Sequence, residues 1–328
     1  MQGTPGASSG AAPGGPFPSG LAASAAPCHS GTMSHAPVPY VLTLVAARDA
    51  VVLTDAILDR VRDAAGAGAP VALSPGEAAD LSCPDAPDPA RVAAALEGAP
   101  IDAVVTRGEN RRKRLLVADM DSTIVTSETL DEIAAYAGLK GRVAEITRRS
   151  MNGELDFAAA LRERVGLLRG LGLDALARTW EQTRLTPGAR ELVATMRAHG
   201  AKTALVSGGF TYFTERVAAL CGFDVHRANT LLDDGRALTG EVGEPILDRN
   251  AKLATLRELV ARHWLSMDET LAVGDGANDL AMIRAAGLGV AYRAKPVVAA
   301  EARARIDHAD LRALLFIQGY AAREFAAV

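Results

Sequence analysis

The sequence predicts an α/β protein: a doubly wound parallel sheet with a helical insertion, preceded by a small α+β unit. Apolar residues form 49% and charged residues 23% of the 328 residues, as in globular proteins. Short apolar runs at 115–118, 203–206, 270–274 and 289–292 are typical of buried strands. The segments between them are long enough for right-handed crossovers, which predicts that the strands are parallel.

The segment between the first two of these strands is too long for a simple crossover. Residues 128–186 are mostly helical in pattern, so we expect them to form a separate cap beside the sheet. Farther along, Asp233-Asp234-Gly235-Arg236 is typical of a β-hairpin turn. The predicted second domain spans residues 109–328 and contains the cap.

Two segments precede this domain. Residues 1–36 are rich in Gly, Pro, Ala and Ser and contain no Lys or Arg, which predicts a disordered tail and no secretory signal. Met33, close to where the first strand-like run begins, is a candidate start of translation. Residues 37–108 alternate strand and helix in the order β, α, β, α, β, which predicts a small α+β domain. The basic run Arg111-Arg112-Lys113-Arg114 fits a nucleic-acid patch or, better in an acidic protein, a solvated linker.

Charge and cysteine content narrow the classes of function. The 35 Lys and Arg against 39 Asp and Glu give a net charge of -4, so no overall positive field favours nucleic acid or a membrane surface. The apolar runs are too short to cross a membrane. Cys28, Cys83 and Cys221 are scattered without metal-ligand spacing, which predicts a reducing, cytoplasmic location and no disulfide framework.

Two carboxylates directly follow the strand predicted at 115–118. Asp119 and Asp121 stand where open α/β sheets place their ligands, at the carboxyl end of a strand. Burying ionised carboxylates is costly unless a metal or a partner compensates them. Two acids in one cleft can also divide the chemistry, one as the nucleophile and the other as the proton carrier. A surface turn would use similar residues, so the pair alone leaves both interpretations open.

Three further clusters follow predicted strands or begin predicted helices. Ser207-Gly208-Gly209 offers a hydroxyl and free N–H groups at a helix start, which suits an anion, although a plain turn would look similar. Lys252, near the start of another helix, would by itself be interpreted as a solvated cation. Gly274-Asp275-Gly276-Ala277-Asn278-Asp279 places acids at a strand end, which suits Mg²⁺ or an ordinary Gly/Asp-rich turn.

Together and in this order, the four clusters resemble the haloacid dehalogenase superfamily of phosphotransferases, over about residues 113–320. The resemblance implies a Rossmann-like core, with Asp119 as the nucleophile that becomes an aspartyl-phosphate. It implies Asp121 as the proton donor and acceptor, which favours a phosphatase over the related ion pumps. Mg²⁺ would be bound by Asp119, Asp275 and the backbone carbonyl of Asp121. The groups implied to hold the phosphoryl oxygens or support the site are Ser207, Gly208, Gly209, Lys252, Asn278 and Asp279.

The predicted cap contains the residues expected to select the substrate. Residues 119–128 and 151–165 resemble the corresponding segments of the phosphoserine phosphatases in that superfamily. The resemblance implies that Glu128 pairs with a substrate ammonium and Arg164 with its carboxylate, which an arginine can hold with two parallel hydrogen bonds. Met151 and Phe157 would shield the site from water. Each of these residues taken singly would also fit a helix face or a core.

The implied activity is Mg²⁺-dependent hydrolysis of O-phospho-L-serine to L-serine and phosphate, the final step of L-serine biosynthesis. Two alternatives stay open. One is an enzyme of the same scaffold that acts on another small phosphate or transfers the phosphoryl group to homoserine. The other is an amino-acid-sensing regulatory protein, since the N-terminal unit resembles ACT-type domains. The sequence does not decide whether that unit binds an amino acid or whether the chain forms a homodimer.

Overall fold

The structure is a computed structural model that describes residues 39–328. The tail predicted at 1–36 and the alternative start at Met33 lie outside these residues. The described chain forms a four-stranded sheet, a six-stranded sheet and a two-stranded hairpin. Within residues 39–328, no helix is both long enough and apolar enough to span a membrane.

The N-terminal unit is a four-stranded antiparallel sheet with two helices. Its elements are β1 (Tyr40–Ala46), α1 (Asp55–Ala65), β2 (Val71–Ser74), β3 (Ala78–Cys83), α2 (Pro89–Leu96) and β4 (Ile101–Arg107). The strand order β2-β3-β1-β4 is that of ferredoxin-like units and confirms the predicted α+β class. The predicted pattern lacked β3, because a short turn separates it from β2. The helical spacing from Asp49 to Ala65 predicts one helix over that range, but α1 begins only at Asp55, because Thr54 caps it by accepting the N–H of Ile57.

Two cations of the basic run after this unit, Arg111 and Lys113, are bound to acceptors in the folded chain. Arg111 pairs with Asp80 on β3 and also donates to two main-chain carbonyls near the C-terminus. Lys113 is 9% exposed, and its Nζ donates to the carbonyl oxygen of Asp268 at 2.7 Å. The prediction of a solvated linker is therefore wrong at Arg111 and Lys113, because both cations satisfy acceptors that are removed from water. The boundary predicted between residues 108 and 109 stays a prediction.

The rest of the chain alternates strands and helices. Its elements, in chain order, are β5 (Leu115–Ala118), α3 (Thr129–Ala135), α4 (Lys140–Met151), α5 (Phe157–Gly166), α6 (Asp174–Gln182), α7 (Ala189–Ala198), β6 (Lys202–Phe210), α8 (Thr211–Cys221), β7 (Val225–Asn229), β8 (Leu231–Asp233), β9 (Leu238–Val242), α9 (Arg249–Arg262), β10 (Thr270–Gly274), α10 (Leu280–Ala285), β11 (Leu288–Tyr292), α11 (Pro296–Ala299), β12 (Ala304–Ile306) and α12 (Ala313–Phe316). The sheet is parallel, with order β12-β11-β10-β5-β6-β7. The sequence did not predict the edge strands β7 and β12, which are less apolar than the central ones.

Helices cover both faces of this sheet. Leu116 and Ala118 of β5 belong to the apolar cluster that includes α7 and α8, whereas Leu115 and Val117 pack with α9 and α10. All four residues are fully buried, which explains why β5 is apolar at every position. The predicted doubly wound sheet is confirmed.

The predicted helical insertion is also confirmed. Helices α3 to α6 follow β5 and precede α7, and α5 packs against β9 of the hairpin. Gly172, just before α6, pairs with Ala237 in the turn between β8 and β9. The insertion therefore rests on the hairpin as well as on the end of the sheet, beside the carboxyl ends of β5 and β6.

Candidate active site

Most of the predicted site residues meet at the carboxyl ends of β5, β6 and β10. One pocket is lined by Asp119, Asp121, Glu128, Met151, Phe157, Arg164, Ser207, Gly208, Gly209 and Asn278. The other three predicted residues, Lys252, Asp275 and Asp279, lie buried next to Asp119. Segments more than a hundred residues apart in sequence therefore converge on one place, as the strand-end argument predicted. The catalytic and binding roles of these residues stay predictions.

A fully buried lysine joins two of the acids. Lys252 Nζ donates to Asp119 Oδ1 at 2.5 Å and to Asp279 Oδ1 at 2.6 Å. Burial alone would lower the pKa of Lys252, but the two carboxylates outweigh it and raise that pKa, so the ammonium stays charged. Burial, and next the charge of Asp279, raise the pKa of Asp119 well above its usual value. The interpretation of Lys252 as a solvated cation is thus wrong.

The acids fit a divalent cation. Oxygens of Asp119, Asp275 and Asp279 lie within 4.8 Å of one another. Both carboxylate oxygens of Asp275 are buried and have no hydrogen-bond partner in the described part of the chain. An ionised carboxylate left in this state is costly, and a hard cation with a preference for oxygen ligands would remove the cost. Asp279 Oδ2, by contrast, already accepts the N–H of Gly276 at 3.1 Å.

Asp121 is held between the cap and the sheet. Its Oδ1 accepts the N–H of Thr129, in the first turn of α3, at 2.8 Å, and its Oδ2 accepts the hydroxyl of Ser207 at 3.3 Å. A Cβ on Gly209 would lie 2.6 Å from that same Oδ2, so any larger residue there would push the carboxylate out of its present position. Burial raises the pKa of Asp121 above its usual value.

Two residues of opposite charge line the cap side of the pocket. Glu128 Oε1 accepts the hydroxyl of Ser122 at 2.5 Å, and burial, followed by the charge of Asp121, raises the pKa of Glu128 to about 7. Arg164 is 7% exposed and forms no ion pair with any carboxylate of the described chain. Burial lowers its pKa. The pocket therefore offers one acid and one unpaired guanidinium beside the acid–lysine cluster.

The segment that forms this site matches a known protein family. A family model described as haloacid dehalogenase-like hydrolase matches residues 113–287, which is more than half of the chain. The chain belongs to the haloacid dehalogenase-like hydrolases. This confirms the resemblance drawn from the four clusters.

Individual relatives and solved structures are consistent with this family. A phosphoserine phosphatase of Streptomyces coelicolor is 43% identical over 73% of this chain, and one of Streptococcus thermophilus is 43% identical over 61% of it and 93% of its own length. The solved structure of a family hydrolase from Salmonella enterica serovar Typhi covers 86% of this chain and 99% of its own, with 27% identity and a TM-score of 0.76. The chain spans only 53–60% of the first three phosphoserine phosphatases that it matches.

One further buried residue, Asn229, belongs to the haloacid dehalogenase-like site although no sequence pattern predicts it. Asn229 is 2% exposed and ends β7. Its Nδ2 donates to the carbonyl oxygen of Gly208 at 2.9 Å, and its Oδ1 accepts the N–H of Leu247 at 2.7 Å. Asn229 therefore fixes the Gly208 loop relative to the segment that leads into α9. Since β7 was not predicted, no pattern in the sequence pointed to it.

Proposed function

We propose that this chain is a Mg²⁺-dependent phosphoserine phosphatase that hydrolyses O-phospho-L-serine to L-serine and phosphate. One observation carries the proposal: the acid–lysine cluster around Asp119 shares a pocket with Glu128 and with the buried, unpaired Arg164. O-phospho-L-serine has a phosphate, an ammonium and a carboxylate, and each finds a complementary group there. Relatives named phosphoserine phosphatase, at 43% identity, support the same substrate.

Asp119, Asp275 and the backbone carbonyl of Asp121 would hold Mg²⁺. The unpaired carboxylate of Asp275 supports this choice, whereas Asp279 is already engaged by Lys252 and the N–H of Gly276. When bound, the ion would offset negative charge on the phosphoryl oxygens. Lys252 supplies a second positive charge next to the nucleophile. Ser207, whose one hydroxyl proton is donated to Asp121 in this structure, would turn that proton to a phosphoryl oxygen when the substrate binds.

In the proposed reaction, a carboxylate oxygen of Asp119 attacks phosphorus, and the bond from phosphorus to the serine oxygen breaks. Asp121 gives its proton to that leaving oxygen. Asp121 then takes a proton from a water molecule as the water attacks the phosphorus of the aspartyl-phosphate, which releases phosphate and restores Asp119. The N–H of Thr129 keeps Asp121 in place for both proton transfers.

The cap supplies the substrate selection in this proposal. Glu128 pairs with the ammonium and Arg164 with the carboxylate, while Met151 and Phe157 cover the pocket and limit the access of water. A Cβ on Gly208 would lie 2.7 Å from the Phe157 ring, so the ring packs directly on the glycine loop that is proposed to bind the phosphate. Closing the pocket in this way strengthens each charge interaction inside it.

The test is phosphate release from O-phospho-L-serine with Mg²⁺ and with a chelator, against a panel of small phosphate esters. We expect strong preference for O-phospho-L-serine, no activity with the chelator, and no activity in Asp119→Asn. Equal rates across the panel would contradict the substrate assignment. Formation of phosphohomoserine when homoserine is added would favour a phosphotransferase. Absence of hydrolysis of any ester would favour the regulatory alternative.

A further inference from the structure

A buried threonine and a buried aspartate adjoin Arg164, and the threonine also lines the pocket. Thr147 on α4 and Asp131 on α3 are 3% and 8% exposed. Arg164 Nη1 donates to Thr147 Oγ1 at 3.0 Å, and that hydroxyl donates to Asp131 Oδ1 at 2.6 Å. Helices α3, α4 and α5 therefore meet in one buried chain of hydrogen bonds that ends at the guanidinium in the pocket.

The direction of these bonds determines how many N–H groups of Arg164 remain free for a ligand. A threonine hydroxyl has one proton, and Asp131 takes it, so the lone pairs of Thr147 Oγ1 face the guanidinium. Arg164 Nε donates to the carbonyl oxygen of Ala160 at 3.2 Å. Two of the five guanidinium N–H groups are thus used to fix its orientation, and three remain for a ligand.

The threonine also keeps the two charges from pairing directly. If Asp131 met Arg164 directly, the carboxylate would occupy the guanidinium edge that a ligand needs. With Thr147 between them, the charge of Asp131 still favours the protonated arginine, against the lowering of its pKa by burial. A buried cation without a carboxylate of its own is a ready partner for the carboxylate of a ligand.

We propose that Thr147 and Asp131 are positioning residues that aim Arg164 at the substrate carboxylate and thereby select phosphorylated amino acids over esters that lack a carboxylate. This inference rests on the proposed function, in which Arg164 binds that carboxylate. In this arrangement neither residue acts on the phosphoryl group. Their loss therefore raises KM more than it lowers kcat.

The test compares Thr147→Val, which loses the hydroxyl but nearly keeps the shape, with Thr147→Ser, which keeps the hydroxyl. Thr179→Val is the matched control: Thr179 lies on α6 of the same insertion, is 2% exposed, and its hydroxyl has no partner among the described residues. We measure kcat and KM on O-phospho-L-serine and on O-phosphoethanolamine, which has the phosphate and ammonium but no carboxylate.

We expect Thr147→Val to raise KM for O-phospho-L-serine about tenfold, equivalent to about 1.4 kcal/mol and within the range of about 0.5–1.5 kcal/mol for a typical intramolecular hydrogen bond. The change in kcat should stay below about threefold, and the loss on O-phosphoethanolamine should be several times smaller. Thr147→Ser and Thr179→Val should keep the wild-type preference. Asp131→Asn, which keeps an acceptor oxygen but loses the charge, should raise the same KM by a smaller factor.

Calorimetry in the Asp119→Asn background measures binding without turnover. There, Thr147→Val should weaken binding of O-phospho-L-serine about tenfold and change binding of inorganic phosphate much less. Equal losses on the two esters, or wild-type affinity for O-phospho-L-serine in Thr147→Val, would overturn the proposal. Failure of the proposed function looks different, because the wild-type enzyme would then show no preference for O-phospho-L-serine over O-phosphoethanolamine.

Discussion

The charge of Asp275 should help the protein bind Mg²⁺ but lower the stability of the metal-free protein. Its side chain is 1% exposed, and neither carboxylate oxygen has a hydrogen-bond partner in the part of the chain that the structure describes. Lys295 Nζ lies 3.6 Å from Oδ2 but is 34% exposed, so solvent weakens that interaction. Burial, and next the charges of Glu128 and Asp119, raise the pKa of Asp275 well above its usual value. An ionised carboxylate here therefore costs more free energy than a neutral amide in the same place, by on the order of 2 kcal/mol.

Asp275→Asn removes the charge and keeps the shape, so the variant should be more stable than the wild type in the absence of metal. A gain of about 2 kcal/mol corresponds to a rise in Tm of roughly 4–8 °C for a domain of this size. Addition of Mg²⁺ should raise the Tm of the wild type, because a ligand that binds the native state stabilises it. The same addition should leave the Tm of Asp275→Asn nearly unchanged.

The assay is thermal unfolding in a chelator and in excess Mg²⁺, with Asp279→Asn as the matched control. Asp279 belongs to the same acid cluster, but its oxygens accept from Lys252 at 2.6 Å and from the N–H of Gly276 at 3.1 Å. Loss of its charge breaks a paired network, so Asp279→Asn should lower the Tm in the chelator. A lower Tm for metal-free Asp275→Asn, or a full Mg²⁺ response in that variant, would refute the reasoning.

Three further predictions concern separate parts of the molecule. Gly209→Ala should reduce kcat at least about tenfold on O-phospho-L-serine with a smaller change in Tm, because the new Cβ meets Asp121 Oδ2 at 2.6 Å; wild-type kcat would contradict this. Burial raises the pKa of Cys221 to about 12, so only about one thiol in 10⁴ is ionised at pH 8. A thiol reagent should therefore modify Cys221 only after the protein unfolds. Rapid labelling of Cys221 in the native protein would contradict this prediction. Asp102→Ala should lower the free energy of unfolding, measured in urea, by about 2–4 kcal/mol. The carboxylate of Asp102 accepts three N–H groups, of Asp307, His308 and Ala309, which the variant leaves without that acceptor. An unchanged unfolding midpoint would disprove this.

The interface between the N-terminal unit and the core illustrates the limit of sequence patterns. The run from Arg111 to Arg114 predicted a solvated linker, since consecutive cations usually face water. In the structure, Arg111 finds Asp80 and Lys113 finds the carbonyl oxygen of Asp268. These partners lie 31 and 155 residues away, and nothing in a local pattern identifies them.

The sequence by itself determined the parallel sheet, because a buried strand is apolar at every position. It also determined at which edge of the sheet a ligand binds, because the polar loop residues stand directly after each apolar run. Asp119, Ser207 and Asp275 could be placed on that edge for this reason. Tertiary structure alone decided the partners: Lys252 is bonded to Asp119 across 133 residues, Asn229 holds Gly208, and Thr147 separates Asp131 from Arg164. Such pairings depend on distances between segments that only the folded chain brings together, and the energy of a buried charge depends on those distances.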